Sequence, residues 1–509
     1  MKYAEKTKKK RNIASTIGTA LILVLSLIGF AAFFAANWYL DTYGDLGFDS
    51  VLFTLMSSLG GVQSGLVTEF IKGAAVPALL CWIGMCAVVI GLSRRSQPGK
   101  IFGRVMALVL SLLLSCQAAF ATGLPAYLYG IYNPSELFES YYVDPAKAEI
   151  TFPEEKRNLI YILLESMETT YFSRDLGGAE DVNLIPELYA LAQENLNFSE
   201  HDSVGGFRSV NGTTWTIGAM VGQTAGVPLK TPDDVDDWQN GYGKEGVFLP
   251  GLTNLSDVLH ENGYYQALMV GSVASFGGRE TYYETHGTDR VYGLKDARAD
   301  GIVPGDYFVW WGIEDKYLFE YAKQEITEIA AGEQPFAFTM LTVDTHHIGG
   351  YVCEFCGSDH EEQYENVISC SSKQVLEFVK WIQDQDFYEN TTVIICGDHP
   401  SMDNGYFERN VDPDHVRRIY NCFINSAVDT AFDKNRNFTT LDLFPTTLAA
   451  MGCEIEGEML GLGTNLFSGA PTLAERLGFS QFDTQVAMSS DYYAEVFRQE
   501  DLRAGETTE

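Results

Sequence analysis

Residues Ile13 to Ala36 form an uncharged apolar run, and two more follow, from Ala74 to Leu92 and from Val105 to about Leu128. Each approaches the ~20 residues a helix needs to cross the hydrocarbon core of a bilayer. Backbone in lipid must satisfy its own hydrogen bonds, so isolated runs of this kind are read as helices. Trp38 and Tyr39 follow the first run as interface anchors. A cleaved signal sequence is the other reading of that run, but it is too long for one and no small-residue cleavage site is evident. Lys6, Lys8, Lys9, Lys10 and Arg11 precede the first span, and Arg94, Arg95, Lys100 and Arg104 fill the loop between the second and third. Both basic clusters belong on the cytoplasmic side, which places everything after about residue 130 outside. Between the first two spans, Val51 to Gly73 is apolar but broken by glycines and serines. It is read as an interfacial segment, since a fourth span would leave the remainder inside.

Charge divides the chain in the same place. Residues 1–130 hold eleven Lys/Arg against five Asp/Glu, and the rest hold 23 against 63, within a total of −34 over 509 residues. A domain so acidic repels phosphate backbones, which excludes nucleic acid as a partner. The expected organisation is a membrane part over 1–130 (helices 13–36, 74–92 and 105–128), a polar connector over 131–155, an extracytoplasmic domain over 156–485 and an acidic, frayed tail over 486–509. Cys353 and Cys356 form a C-x-x-C, a zinc or redox pair in a cytosolic setting. In an exported domain, disulfides among Cys353, Cys356 and Cys370 are expected instead, with connectivity open.

The exported part alternates two patterns. "NLIYILLESME", "QALMVGS", "FAFTMLTVD" and "TTVIICGD" are short apolar runs rich in strand formers, which read as buried parallel strands. "NLSDVLHENGY" and "SKQVLEFVKWIQDQ" have helical spacing. Strands alternating with helices argue an α/β domain with a mostly parallel sheet. Sites in such sheets gather beyond the carboxyl ends of the strands. Those ends carry Glu165, then Asp344, His346 and His347, then Asp398 and His399. A lone Glu there also serves as a helix-start carboxylate, and a His-His pair also serves facing solvent. Asp and His adjacent at a buried strand exit are costly unless used. Carboxylates with one imidazole suit a divalent ion such as Mn²⁺ or Zn²⁺. A third stretch, "NGTTWTIGAMVGQ", crowds Thr213, Thr214 and Thr216 where a loop turns into a helix. By composition alone all three read as turn and capping hydroxyls.

Taken together, "NLIYILLESME", "GTTWTIGAMVGQ", "SFGGRE", "LTVDTHHIGGY", "CGDHPSM" and "LDLFPTTLAAMG" resemble the sulfatase-like branch of the alkaline phosphatase superfamily. More closely they resemble its membrane-anchored phosphoglycerol transferases, the lipoteichoic acid synthases and the glucan-modifying enzymes, over roughly residues 155–470. The resemblance implies one divalent ion, Mn²⁺ with Zn²⁺ or Mg²⁺ as alternatives, held by Glu165, Thr214, Asp398 and His399. It makes Thr214 the nucleophile, with Thr213 one residue away as the other choice. It makes Arg279 the phosphate ligand and His346 and His347 substrate-binding residues, with His346 able to protonate a leaving oxygen. Thr213 and Thr216 keep turn and helix-start roles. The implied reaction moves glycerol phosphate from phosphatidylglycerol to a glycan or polyglycerolphosphate acceptor through a glycerophosphoryl-threonine. Some features depart from the family. Gly277 stands where the family has a Trp before the Arg, three spans are counted where lipoteichoic acid synthases usually have five, and the Cys/Ser-x-Pro-x-Arg signature of sulfatases is absent. A phosphoethanolamine transferase, a phosphodiesterase and a catalytically dead scaffold are the competing readings. The last is disfavoured because all four metal-ligand positions are filled.

Overall fold

A computed structural model describes residues 2–44, 47–56, 64–230 and 246–498. It divides into two compact units, Met1–Val51 with Gln63–Leu128, and Leu52–Val62 with Tyr129–Glu509.

The first unit contains three helices long and apolar enough to cross a membrane, Ser15–Tyr43, Gly65–Arg95 and Gln97–Ala121. They make the chain a membrane protein that carries a soluble domain. Close packing relies on small residues and side-chain-to-backbone bonds, as expected where lipid removes the hydrophobic drive between helices. Ala78 and Ala107 are buried between the helices. A Cβ on Gly29 would stand 2.8 Å from the Ser111 hydroxyl, which itself donates to the Leu25 carbonyl at 2.7 Å. Trp82 donates its indole N–H to the Leu23 carbonyl at 2.8 Å. The spans differ in extent from the sequence expectation. The second begins earlier, because Ser64–Phe70 runs on into it as helix. The third stops at Ala121 instead of running to Leu128. Gly123 takes the left-handed conformation (φ 76°), and a separate helix, Leu124–Tyr132, follows with Pro125 in its first turn. Of the Val51–Gly73 segment, residues 57–63 lie outside the described residues.

The second unit is built on a seven-stranded sheet. Its spatial order is Gly206–Phe207, Ile419–Ile424, Thr391–Gly397, Asn158–Leu164, Phe336–Leu341, Tyr265–Val270 and Arg290–Tyr292. The five strands from Thr391–Gly397 to Arg290–Tyr292 are parallel neighbours. Ile419–Ile424 and Gly206–Phe207 pair antiparallel at one edge. In the central strand, Leu159, Tyr161 and Leu163 pack into one hydrophobic cluster, and Ile160, Ile162 and Leu164 into the other. Side chains alternate between faces along a strand, so a strand covered on both faces must be apolar throughout. That is why "NLIYILL" reads as an unbroken run. The helix Leu255–Glu261 starts where its sequence says, with Asn254 and Asp257 forming a capping box.

Two boundaries are corrected. The connector is part of the domain: Leu137 and Phe138 are buried in its core, and Ile150–Thr151 pairs with Glu454–Ile455. The tail is not frayed from 486. Phe138 packs against Tyr492, Tyr493 and Phe497 with ring centroids 5.7–6.3 Å apart. Val486, Tyr493 and Phe497 are fully enclosed, because aromatic burial outweighs the polar composition around them. Residues 499–509 lie outside the described residues.

Candidate metal and phosphate site

Register alone brings the first two acids together. Leu164 lies opposite Gly397 in the parallel pair, so Glu165 and Asp398 leave the carboxyl edge of the sheet side by side. Their surroundings hold them there. Glu165 N–H donates to the Thr342 hydroxyl at 3.0 Å, and the Thr345 hydroxyl donates to the Glu165 carbonyl at 2.5 Å. Ser166, in left-handed backbone (φ 56°), turns its N–H to Asp398 Oδ1 at 2.8 Å and its hydroxyl to Glu165 Oε1 at 2.8 Å. His399 N–H also donates to Asp398 Oδ1, at 2.7 Å.

The other Asp398 oxygen, Oδ2, is buried and, among the described residues, has no hydrogen-bond partner. It lies 3.2 Å from His399 Nε2, and Glu165 Oε1 lies 3.5 Å from the same nitrogen. His399 Nδ1 donates to the Pro400 carbonyl at 2.9 Å, which fixes the tautomer and turns the Nε2 lone pair toward the two carboxylates. Three electron-pair donors thus converge in a buried space, with one ligand atom from each of Glu165, Asp398 and His399 within 4.8 Å of the others. Burial first, and then the charge of Glu165, push the Asp398 carboxyl well above the usual range. Such a group is satisfied by a cation. The donor set and the unpartnered Asp398 oxygen therefore fit a divalent metal ion.

The three threonines separate cleanly. Gly212 (φ 82°) opens the turn. Thr213 closes it, donating its hydroxyl to the Val210 carbonyl at 2.8 Å and accepting the Val210 N–H at 3.0 Å. Thr214 Oγ1 is buried and, among the described residues, has no partner. Thr216 is the first residue of the helix Thr216–Ala225, and its hydroxyl lies 3.3 Å from His399 Nε2. The sequence assigns Thr216 a helix-start role alone. Its contact with His399 brings the start of this helix to the rim that holds the acids.

Arg279 is buried, and its guanidinium is anchored from behind. Nε donates to the Phe276 carbonyl at 2.9 Å, and Nη2 donates to the Ser272 hydroxyl at 2.9 Å and the Val273 carbonyl at 3.0 Å. Nη1 makes no hydrogen bond among the described residues, so only that end of the fork is available to an anion. Burial lowers the group to about 10 while Glu165 and Asp398 pull it up, so it stays charged at neutral pH. Gly277 and Gly278 precede it at φ 68° and 80°. A side chain at 277 would be strained there, which is a physical reason for the missing Trp. His346 donates Nδ1–H to the His347 carbonyl at 2.9 Å, and burial lowers its pKa, with Glu165 opposing. The His347 ring stacks on it at 4.3 Å, and the Trp311 ring lies 4.4 Å away on the same imidazole. Trp311 and Ser166 escape the sequence reading. The pair "WW" at 310–311 and the polar residue directly after Glu165 are the only signals they leave.

The model of the sulfatase family matches residues 157–453. Phosphoglycerol transferase I of Salmonella choleraesuis is 29% identical over 473 residues, 91% of this chain and 58% of that protein. Its counterpart in Citrobacter koseri is 28% identical over 458 residues, 88% and 56% respectively. The chain spans little more than half the length of these curated relatives. Among solved structures, the integral membrane lipooligosaccharide phosphoethanolamine transferase A from Neisseria meningitidis shares the fold. It matches with a TM-score of 0.51 at 13% identity, covering 89% of this chain and 87% of that one. With more than half its length inside the family model and a parallel sheet that carries the acids at its carboxyl edge, the chain belongs to the sulfatase family.

Proposed function

We propose that the chain is a phosphotransferase that moves glycerol phosphate from phosphatidylglycerol to a cell-envelope glycan or a polyglycerolphosphate acceptor. Its soluble domain acts outside the cytoplasm. The observation that carries this reading is Thr214 Oγ1, buried without a partner on the turn that Thr216 ties to His399. The names of the curated relatives support the group transferred.

Glu165, Asp398, His399 and Thr214 would hold the metal ion, for which Mn²⁺ is our assignment and Zn²⁺ or Mg²⁺ the alternatives. When bound, a divalent ion supplies positive charge that makes a nearby hydroxyl more acidic and offsets charge on phosphoryl oxygens. Thr214 Oγ attacks phosphorus. The Oγ–P bond forms, the bond from phosphorus to the diacylglycerol oxygen breaks, and diacylglycerol leaves. His346 enters neutral, with Nδ1–H committed to a carbonyl, so its Nε2 takes the Thr214 proton and passes it to the departing oxygen. In the second half an acceptor hydroxyl forms the new P–O bond, the Oγ–P bond breaks, and the acceptor's proton returns through His346 to Thr214. Arg279 presents Nη1 to the phosphate, and His347 holds His346 in place by stacking.

The test is peptide mass spectrometry of the detergent-solubilised chain after incubation with phosphatidylglycerol and Mn²⁺. A glycerophosphoryl group on Thr214, absent from Thr214→Ala, is expected. An adduct on Thr213, or one that survives Thr214→Ala, sinks the assignment. A phosphoethanolamine adduct formed only from phosphatidylethanolamine would move the donor to the other branch, and glycerol phosphate appearing only in solution would make the chain a phosphodiesterase.

A further inference from the structure

A second cluster of metal-ligand side chains lies outside the site described above. The disulfides expected among Cys353, Cys356 and Cys370 are not formed, and all three thiols are free. Cys353 Sγ lies 3.7 Å from Cys356 Sγ and 3.7 Å from Cys370 Sγ, and all three sulfurs lie within 4.8 Å of one another. A disulfide would single out one pair, but here the two separations are equal. They match a different geometry: a tetrahedron with Zn–S bonds of about 2.3 Å has S···S edges of about 3.75 Å.

The backbone is also shaped for thiolates. "CEFCG" places Gly357 directly after the pair, and Cys356 N–H closes a turn onto the Cys353 carbonyl at 3.2 Å. The Gln374 side-chain amide reaches Cys370 Sγ at 3.4 Å and Cys353 Sγ at 3.9 Å. N–H donors aimed at sulfur stabilise its ionised, metal-binding form. Cys353 and Cys370 are buried and Cys356 is half-buried, so the cluster is shielded but open on one side.

We propose that Cys353, Cys356 and Cys370 form a trithiolate zinc site, separate from the site around Glu165, with its fourth position open to water. Binding converts three thiols to thiolates and releases their three protons. Cys353 and Cys356 belong to the loop that follows His346 and His347, and Cys370 to the helix Gln363–Gln383. The ion therefore fastens the loop carrying the substrate-side histidines to the buried face of that helix.

The test uses the detergent-solubilised full chain carrying Asp398→Asn, so that the carboxylate site is disabled, with Zn²⁺ or Co²⁺ alone as probe. One Zn²⁺ per chain is expected, along with the near-ultraviolet sulfur-to-cobalt charge-transfer absorption when Co²⁺ replaces it. Adding Cys353→Ser and Cys370→Ser lowers bound zinc at least roughly tenfold. Those substitutions also risk the fold, so the cobalt spectrum of the chain with all three cysteines decides. A folded chain with no sulfur-to-cobalt band overturns the proposal. So does a chain isolated without reductant that alkylates at only one of the three cysteines, since that marks a disulfide. Loss of transfer activity in Asp398→Asn bears on the other site and leaves this outcome unaffected.

Discussion

Thr216 places its hydroxyl 3.3 Å from His399 Nε2, so the start of its helix reaches the rim that holds the acids. Thr213, three residues back, has both roles of its hydroxyl committed to Val210. Thr213→Ala leaves the Val210 N–H without its partner, while the Val210 carbonyl keeps the Thr213 backbone N–H, a cost of roughly 1–3 kcal/mol. Thr214→Ala removes a hydroxyl that makes no hydrogen bond among the described residues and costs the fold little. The two variants should separate. In thermal unfolding followed by near-ultraviolet circular dichroism, Thr213→Ala lowers the midpoint and Thr214→Ala does not. In transfer assays Thr214→Ala loses activity on the order of 10³-fold or more, while Thr213→Ala retains most of it once folded.

Metal dependence follows from the convergence of Glu165, Asp398 and His399. A ligand that binds only the folded chain stabilises it by about 2.7 kcal/mol at a hundredfold excess over its Kd. Mn²⁺ should raise the unfolding midpoint of the native chain and abolish the effect of prior chelation on transfer. Asp398→Asn should show neither response. A midpoint that rises equally in both would place the ion elsewhere.

Arg279→Lys tests whether the anchoring of the guanidinium matters. Three of its N–H groups are bound to Phe276, Ser272 and Val273. An ammonium cannot reproduce that spread and still present a donor to phosphate. The expected loss in kcat/KM for the lipid donor is roughly 10²-fold. The loss should persist when the chain is saturated with Mn²⁺, which distinguishes phosphate contact from metal binding.

Much of this site could be read from the chain because the central strands are buried on both faces. Asn158–Leu164 and Thr391–Gly397 must be apolar throughout, so the first acids after them, Glu165 and Asp398, stand out. The strand Ile419–Ile424 is hidden by Asn421, a buried amide that accepts from Phe198 N–H at 3.0 Å and donates to the Phe198 carbonyl at 2.9 Å. A polar residue satisfied only by tertiary contacts breaks the pattern that local reading depends on. Thr216 and Trp311 are hidden for the same reason, since what defines each is a partner far along the chain, His399 for one and His346 for the other. The register Leu164–Gly397 is likewise a property of the sheet, and no single segment reveals it.

A last expectation concerns pH and a residue distant in sequence from the ligands. Asp442, in "LDLFPTT", is buried, and its carboxyl accepts the N–H groups of Thr439 and Thr464, both at 2.8 Å. Burial raises it from 3.8 to about 7, and those N–H bonds oppose the rise. Between about 4 and 7 the folded chain therefore binds a proton that the unfolded chain has released. Stability then falls as pH rises through that window, by at most about 1.4 kcal/mol per pH unit for this group. Below the unfolded value the contribution is constant, and above the folded value no further loss accrues. Asp442→Asn removes the titration while keeping one acceptor oxygen. Its unfolding midpoint should change less between pH 5 and 7 than that of the native chain when both are measured under the same metal concentration. A slope identical to the native one would show that Asp442 is ionised in the folded chain throughout, held by its N–H donors.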